Sequence, residues 1–288
     1  MKNTLYIQFV IISGLFSLYS CKSSYREYGQ SIVKFSNDSV NTVLAKRSLN
    51  NLPDQDFLSL SFLTKEKQVI PYRLLTPINP NPVKKYPLII TFHNSTRIGT
   101  DNKSQLEPMA RIWLNGSIRK KYQTYVLAPQ FAERSANYHL DQQRGILTSS
   151  PSLQLQAIPA LIDSLKKTYP IDVSRIYLLG YSMGGSAVIE LLNLRPGIFA
   201  AAVAIAAVPA FGNVNSLERV PIWLIHGSAD TENPFAGSRE LYREISVRHK
   251  TKFSIYEQRT HDNIVSTALL GESIPQWLFA RKLKAIQH

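Results

Sequence analysis

"LLGYSMGGSA", residues 178–187, decides the fold. The apolar run Ile176-Tyr177-Leu178-Leu179 breaks into a serine fenced by Gly180, Gly184 and Gly185, and apolar residues resume at once from Ala187 to Leu194. Glycine loses more conformational entropy on ordering than other residues, and it is tolerated where a chain turns sharply or two backbones nearly touch. The stretch therefore reads as strand, strained turn, helix. Ser182 stands at the turn, above the strand end, with the positive end of the helix dipole beneath its oxygen. The plainer alternative is a glycine-rich turn carrying a spectator serine, and the surroundings decide between the two.

Outward from this turn the chain alternates. "YPLIITFHN" (86–94) and "YVLAPQF" (125–131) are nearly continuous apolar runs, as expected of strands buried on both faces. "FAAAVAIAAVPA" (199–210), "VPIWLIHGSAD" (220–230) and "KFSIYEQ" (252–258) each supply another. Helices are predicted over 104–115, over 149–172 with Ile158, Leu161, Ile162 and Leu165 on one face and Pro159 in the first turn, over 236–248, and over 275–287. Before them, "FLSLSFLT" alternates at period two and "VIPYRLLTP" follows the charged turn Lys65-Glu66-Lys67, the pattern of an antiparallel hairpin. Strands alternating with helices imply an α/β fold: a mostly parallel central sheet with helices on both faces and an N-terminal antiparallel hairpin, as one domain over 57–288. Residues 197–221 hold a strand and a modest loop, with no room for a large lid. The polar segment 132–150 is expected as a loop at the site mouth, with Tyr138 and His139 read as ordinary loop residues ahead of substrate contacts.

The chain has 288 residues and a formal net charge of +13, from 33 Lys and Arg against 20 Asp and Glu. The cations fall in short clusters such as Lys84-Lys85, Arg119-Lys120-Lys121 and Lys166-Lys167, without a block of five or six like charges. This balance favours anionic surfaces, lipid headgroups or acidic polymers, and not nucleic acid; a solvated basic surface without a partner accounts for it equally well. The single cysteine, Cys21, excludes an intramolecular disulfide and a cysteine metal cluster. Without HExxH or a cluster at ligand spacing, no metal and no cofactor is expected.

Residues 1–21 have the layout of an export signal: Lys2, an apolar stretch from Leu5 to Leu18, then Ser20 before Cys21. The stretch is short for a membrane span, which needs about 20 apolar residues. Its "LYSC" ending resembles the lipobox of bacterial lipoproteins, although Tyr19 is an unusual occupant. That resemblance implies cleavage before Cys21, lipidation of its thiol and a place on a membrane of the bacterial envelope, most naturally the outer membrane. A plain secretory signal or a signal anchor is the alternative. Residues 22–56, rich in Ser, Asn and charge, read as a tether.

A serine hydroxyl is a weak nucleophile that needs a base, and the base needs an orienting group. After Ser182 come His226, His249, His261 and His288. His261 closely follows the last strand, at the sheet end where open parallel sheets bind ligands, and is taken as the base. Asp230, just past a strand and between serine and histidine in the chain, is taken as the orienter ahead of Glu232 and Asp262. The oxyanion hole is assigned to the backbone N–H of Met183 and to that of Asn94 or Ser95, in the loop after an early central strand. His93 is read as bracing that loop.

These stretches together, in this order, resemble the α/β-hydrolases, and within them the bacterial predicted-peptidase and esterase group akin to polyhydroxybutyrate depolymerases, phospholipase/carboxylesterases and dienelactone hydrolases. The likeness covers about residues 57–284. It implies a serine hydrolase acting on carboxylic esters, small or carried by polysaccharides, through a Ser-His-Asp triad and an acyl-enzyme. Two departures stand out. The group's His-Gly-x-Gly is His93-Asn94-Ser95-Thr96 here, and the glycine usual before the catalytic histidine is Thr260. The alternatives left open are a serine peptidase and an inactive hydrolase-fold lipoprotein that binds glycans.

Overall fold

The computed structural model describes residues 29–34, 39–248 and 250–283. The leader with Cys21, and the histidines His249 and His288, lie outside the described residues. The chain begins with β1 (Gln30–Val33) and α1 (Ser39–Asn50), then runs through β2 (Phe57–Leu63), β3 (Val69–Leu75) and β4 (Tyr86–Phe92). Two short helices, α2 (Pro108–Arg111) and α3 (Gly116–Lys121), lead to β5 (Tyr125–Pro129). A separate pair, β6 (Ala136–Asp141) and β7 (Ile146–Pro151), precedes α4 (Leu153–Gln156), α5 (Ile158–Thr168), β8 (Ile171–Tyr181) and α6 (Met183–Leu194). The remainder is β9 (Ala201–Ile205), α7 (Val214–Leu217), β10 (Ile222–Gly227), α8 (Phe235–Ile245), β11 (Lys252–Tyr256) and α9 (Ser273–Phe279).

Nine of the described strands form one sheet in the order β1-β11-β10-β9-β8-β4-β5-β3-β2. Pairing is parallel from β1 across to β5, and β3 and β2 close the far edge antiparallel. Apolar runs became strands because both faces are covered. Leu88, Ile90, Leu178, Ala202 and Leu224 meet Leu161, Val188 and Leu241 of α5, α6 and α8. Ile89, Leu179, Val203 and Ile225 meet Met109 of α2 and Ile274 and Leu278 of α9.

From β4 the chain proceeds to β5 on one side, while β8 lies on the other. Such a reversal opens a crevice at the carboxyl ends of the two strands. Phe92 of β4 is in register with Gly180 of β8, so the loop after β4 and the turn carrying Ser182 emerge side by side. The glycines make this possible. A Cβ on Gly184 would stand 2.1 Å from the Phe92 carbonyl oxygen, and one on Gly180 would stand 2.2 Å from that of Gly184.

Several expectations are corrected. Within 22–56, β1 pairs with β11 and α1 packs beside α2, with Leu49 in the core, so the described part of this segment is not a tether. What looked merely polar is held by backbone pairing and by Arg111, whose Nη1 donates to Leu52 O at 2.7 Å and whose Nη2 donates to Asp54 Oδ2 at 3.0 Å. The 132–150 loop is largely a hairpin, β6 with β7. Its turn is set locally: Asp141 Oδ1 accepts from the N–H groups of Gln143 and Arg144, and Gly145 takes φ 65°. Helix 104–115 shrinks to α2 and a 3-10 turn, because the Asn115 side chain caps a new helix, α3, by accepting from the Ser117 N–H. The helix expected from 149 starts at 153, where Ser152 caps α4. At the carboxyl end α9 stops at Phe279.

Candidate active site

Ser182 has φ 59° and ψ −125°, a conformation disfavoured for a residue with a side chain, between the end of β8 and the first turn of α6. Its N–H donates to Ile205 O at 2.9 Å, tying the turn to β9. Strain and tether together lift the hydroxyl above the sheet, where it is 7% exposed. Asp230 follows β10 and His261 follows β11, and the two loops are stitched together by the Ala229 N–H donating to Arg259 O at 3.1 Å.

The structure brings the three together. His261 Nε2 lies 2.7 Å from Ser182 Oγ, and His261 Nδ1 lies 2.8 Å from Asp230 Oδ2. A carboxylate only accepts, so Nδ1 carries the hydrogen and Nε2 is left to accept from the serine. Asp230 Oδ1 accepts from the N–H groups of Glu232 and Asn233, at 3.1 and 3.0 Å. Burial opposes the charge on Asp230, but hydrogen bonds from His226 and His261 outweigh it and hold the carboxyl well below the usual carboxylate range. Burial likewise opposes an imidazolium at His261, and the hydrogen bond and charge of Asp230 more than offset it, so its affinity for a proton is raised. Neither Glu232 nor Asp262 takes the orienting position.

The loop after β4 is braced by side-chain hydrogen bonds. The Phe131 N–H donates to His93 Nε2 at 3.1 Å, which leaves Nδ1–H to donate to Asn94 O at 2.8 Å. Burial drives His93 down to about 4, which keeps it neutral, as a brace should be. The Asn94 side chain caps a 3-10 turn, Ser95–Arg97, by accepting from the Thr96 N–H, and its Nδ2 donates to Glu107 Oε2 at 2.6 Å. The side chain that stands where the resembled group has glycine is thus turned into the loop's own hydrogen bonds. Met183 opens α6, so its N–H belongs to the first turn, where helical donors lack intrahelical acceptors.

Several neighbours carry contacts that sequence reasoning did not assign to them. Tyr181 covers His261 with ring centroids 5.3 Å apart, and its hydroxyl donates to His261 O at 2.9 Å. His226 Nε2 lies 3.2 Å from Asp230 Oδ2 and 2.8 Å from Asn233 O. Tyr138, on β6, places its hydroxyl 3.0 Å from Ser186 Oγ in the first turn of α6, while His139 pairs across the hairpin with Thr148. The signal for His226 was its place at the end of "IWLIHG"; Tyr138 was placed at the site mouth as an ordinary loop residue, and the hairpin shows what it meets.

A family model described as phospholipase/carboxylesterase matches residues 131–269, which contain all three side chains. A bifunctional acetylxylan esterase/xylanase from Neocallimastix patriciarum is 35% identical over 75 residues, 26% of this chain and 11% of that protein. Among solved structures, a thermostable esterase superposes with a TM-score of 0.72 and 29% identity over 80% of this chain and 64% of that one. A ferulic acid esterase from Anaeromyces mucronatus matches with a TM-score of 0.54 and 13% identity over 75% of this chain and 89% of that one, a likeness of fold alone. The chain therefore spans a small part of its curated relative and under two thirds of the thermostable esterase.

Proposed function

The chain is a member of the α/β-hydrolase superfamily, and on that basis we propose that it is a serine hydrolase that cleaves carboxylic esters. The observation that carries the reading is the unbroken line from Asp230 through His261 to a serine with positive φ at the crevice of the sheet. In this reading Ser182 Oγ attacks the ester carbonyl while His261 Nε2 takes its proton. Charge developing on the carbonyl oxygen is met by the Met183 N–H and by the Asn94 or Ser95 N–H. His261 then returns the proton to the departing alcohol. A water, deprotonated by the same nitrogen, releases the acid from the acyl-enzyme. Asp230 fixes the ring and stabilises the imidazolium, and the proton stays on the imidazole.

The name of the curated relative, a bifunctional acetylxylan esterase/xylanase, supports acyl groups on polysaccharides as the substrate class. The sequence layout at Cys21 supports attachment to a membrane of the bacterial envelope through lipid on that thiol. Labelled palmitate entering the wild-type chain in cells, and absent from Cys21→Ser, tests the anchor. Fluorophosphonate labelling of the full chain tests the hydrolase. One adduct by intact mass on the wild type and none on Ser182→Ala is expected; folded wild type without an adduct overturns the reading.

A further inference from the structure

Beside the Ser182–His261 pair lies a cavity of about 200 Å³ lined by Lys46, Asn50, Asn94, Arg97, Glu107 and Asp262, with Tyr181 among its walls. Three of its lining residues adjoin the proposed machinery. Asn94 lies in the loop after β4, Tyr181 precedes the nucleophile, and Asp262 follows the base. We infer that this cavity receives a carboxylate carried by the ester substrate, held between Lys46 and Arg97.

The two cations come from separate elements, α1 and the 3-10 turn after β4. Among the described residues neither is in an ion pair within 4 Å, whereas Arg111, Arg119, Arg144 and Arg175 all are. The acidic side of the lining is weaker than its composition suggests. Glu107 is 5% exposed, and burial pushes its carboxyl up to about 8, so at neutral pH it is chiefly the uncharged acid. Its Oε2 accepts from Asn94, and its Oε1 is buried without a partner. Because that oxygen is buried, Glu107 bears on the cavity through its missing charge and not through a hydrogen bond. Asp262 is then the one full negative charge set against two positive ones.

A neutral alkyl or aryl group would find Pro108, Met109 and Val265 to pack on but would leave Lys46 and Arg97 without a partner. A carboxylate pairs with both, and hydroxyls beside it suit Asn50 and Asp262. The volume is below the usual range of about 300–1,000 Å³ for drug-sized ligands, so a single small acid group or sugar acid fits. The net charge of +13 adds long-range attraction for anionic esters.

The inference takes from the hydrolase reading that the bound group belongs to an ester, and its test separates the two. Binding is measured first, on full-chain Ser182→Ala, with D-glucuronate and D-glucose as probes in ligand-observed NMR. Glucuronate is expected to bind at least tenfold more tightly than glucose, with the difference lost in the added Lys46→Gln and Arg97→Gln pair. Equal binding of the two sugars, or a preference that survives the pair, overturns the inference whether or not the chain is a hydrolase. Kinetics then place the carboxylate. A tenfold higher kcat/KM for 3-acetoxybenzoate than for phenyl acetate puts it on the alcohol. The same ratio for the 4-nitrophenyl monoester of adipic acid over 4-nitrophenyl hexanoate puts it on the acyl group. A ratio of one in both arms, with the neutral esters cleaved, overturns the cavity and leaves the hydrolase standing.

Discussion

His226 and His261 share one oxygen of Asp230: Oδ2 lies 2.8 Å from His261 Nδ1 and 3.2 Å from His226 Nε2. His226 is fully buried, and Ser238 Oγ lies 2.7 Å from its other nitrogen. Its Nε2–H is divided between Asn233 O and the carboxylate. His226 is therefore a positioning residue that drains part of the negative charge Asp230 presents to His261. Removing it concentrates that charge on His261. His226→Gln is expected to lower kcat on 4-nitrophenyl acetate about tenfold and to move the acidic limb of the kcat/KM profile upward. A variant that only loses stability, with its limb in place, shows that His226 is mere packing.

The limb itself has a predicted position. In the proposed mechanism His261 must be neutral to accept the serine proton, and its proton affinity is raised above the ordinary imidazole value of 6.5. Activity is therefore expected to fall as pH drops through a point above 6.5, where protonation of Nε2 removes the base. Asp230→Asn takes away the hydrogen bond and charge that raise it. The limb should then move to lower pH while kcat falls by about four orders of magnitude, as the wrong tautomer is favoured. A pH–rate series on both proteins decides this.

Gly184 carries the contact between the nucleophile turn and β4. Its missing Cβ would lie 2.1 Å from Phe92 O, and backbone there cannot swing aside as a side chain would. Gly184→Ala is expected to cost about 3 kcal/mol by urea unfolding and to abolish fluorophosphonate labelling even where the chain stays folded, because the loop bearing Asn94 is pushed away. Unchanged labelling would mean that the turn tolerates a wider crevice.

Glu190 sits inside α6, 4% exposed, with one oxygen accepting from Ser149 Oγ at 2.7 Å. Burial pushes its carboxyl up to about 7 from 4.5. The unfolded chain ionises first, so between those two values the native state binds more protons, and stability falls as pH rises through the window. Glu190→Gln keeps the acceptor for Ser149 and removes the charge. It is expected to add about 1–3 kcal/mol at pH 8, a few degrees in Tm, and almost nothing at pH 4. Thermal unfolding at the two pH values measures the difference.

The legibility of this molecule divides along a physical line. The buried strands announced themselves because a sheet covered on both faces needs uninterrupted apolar runs, and the nucleophile turn did so because only glycine fits at 180 and 184. Ser182, Asp230 and His261 were placed by their position just beyond strand ends. The neighbours that shape the site were not readable, because nothing local marks them. Glu107 is an ordinary acidic residue until burial and Asn94 meet it, and Tyr138 reaches Ser186 only because β6 and β7 pair. α1 is hidden for a similar reason: "SVNTVLAKRSLN" leaves Val40, Val43 and Leu44 exposed and buries Leu49 fully, with Ala45 partly buried beside it. What holds it comes from far along the chain: Arg111, 59 residues downstream of the Leu52 carbonyl, and the Thr267 N–H, which donates to Thr42 Oγ1 at 3.3 Å.

That clamp makes the last prediction. Arg111 is 11% exposed at its side chain and donates to Leu52 O, Asp54 Oδ2 and, through Nε, Leu106 O at 2.8 Å. It joins the segment after α1 to the loop before α2, and α1 in turn supplies Lys46 and Asn50 to the cavity beside the site. Arg111→Ala leaves Asp54 with only the more distant Arg73, at 4.0 Å, and two backbone carbonyls without their donor. The cost should be about 2–4 kcal/mol locally, from broken charge-assisted hydrogen bonds. Since the sheet from β2 onward does not depend on that contact, the loss should appear as opening of α1 and not as global unfolding. Limited proteolysis should cut within residues 50–56 at least tenfold faster than in the wild type, while fluorophosphonate still labels Ser182. Any preference for a carboxylate-bearing ester should weaken with it, because Lys46 leaves the cavity when α1 does. Faster cleavage spread along the whole chain would show instead that α1 is part of one cooperative unit.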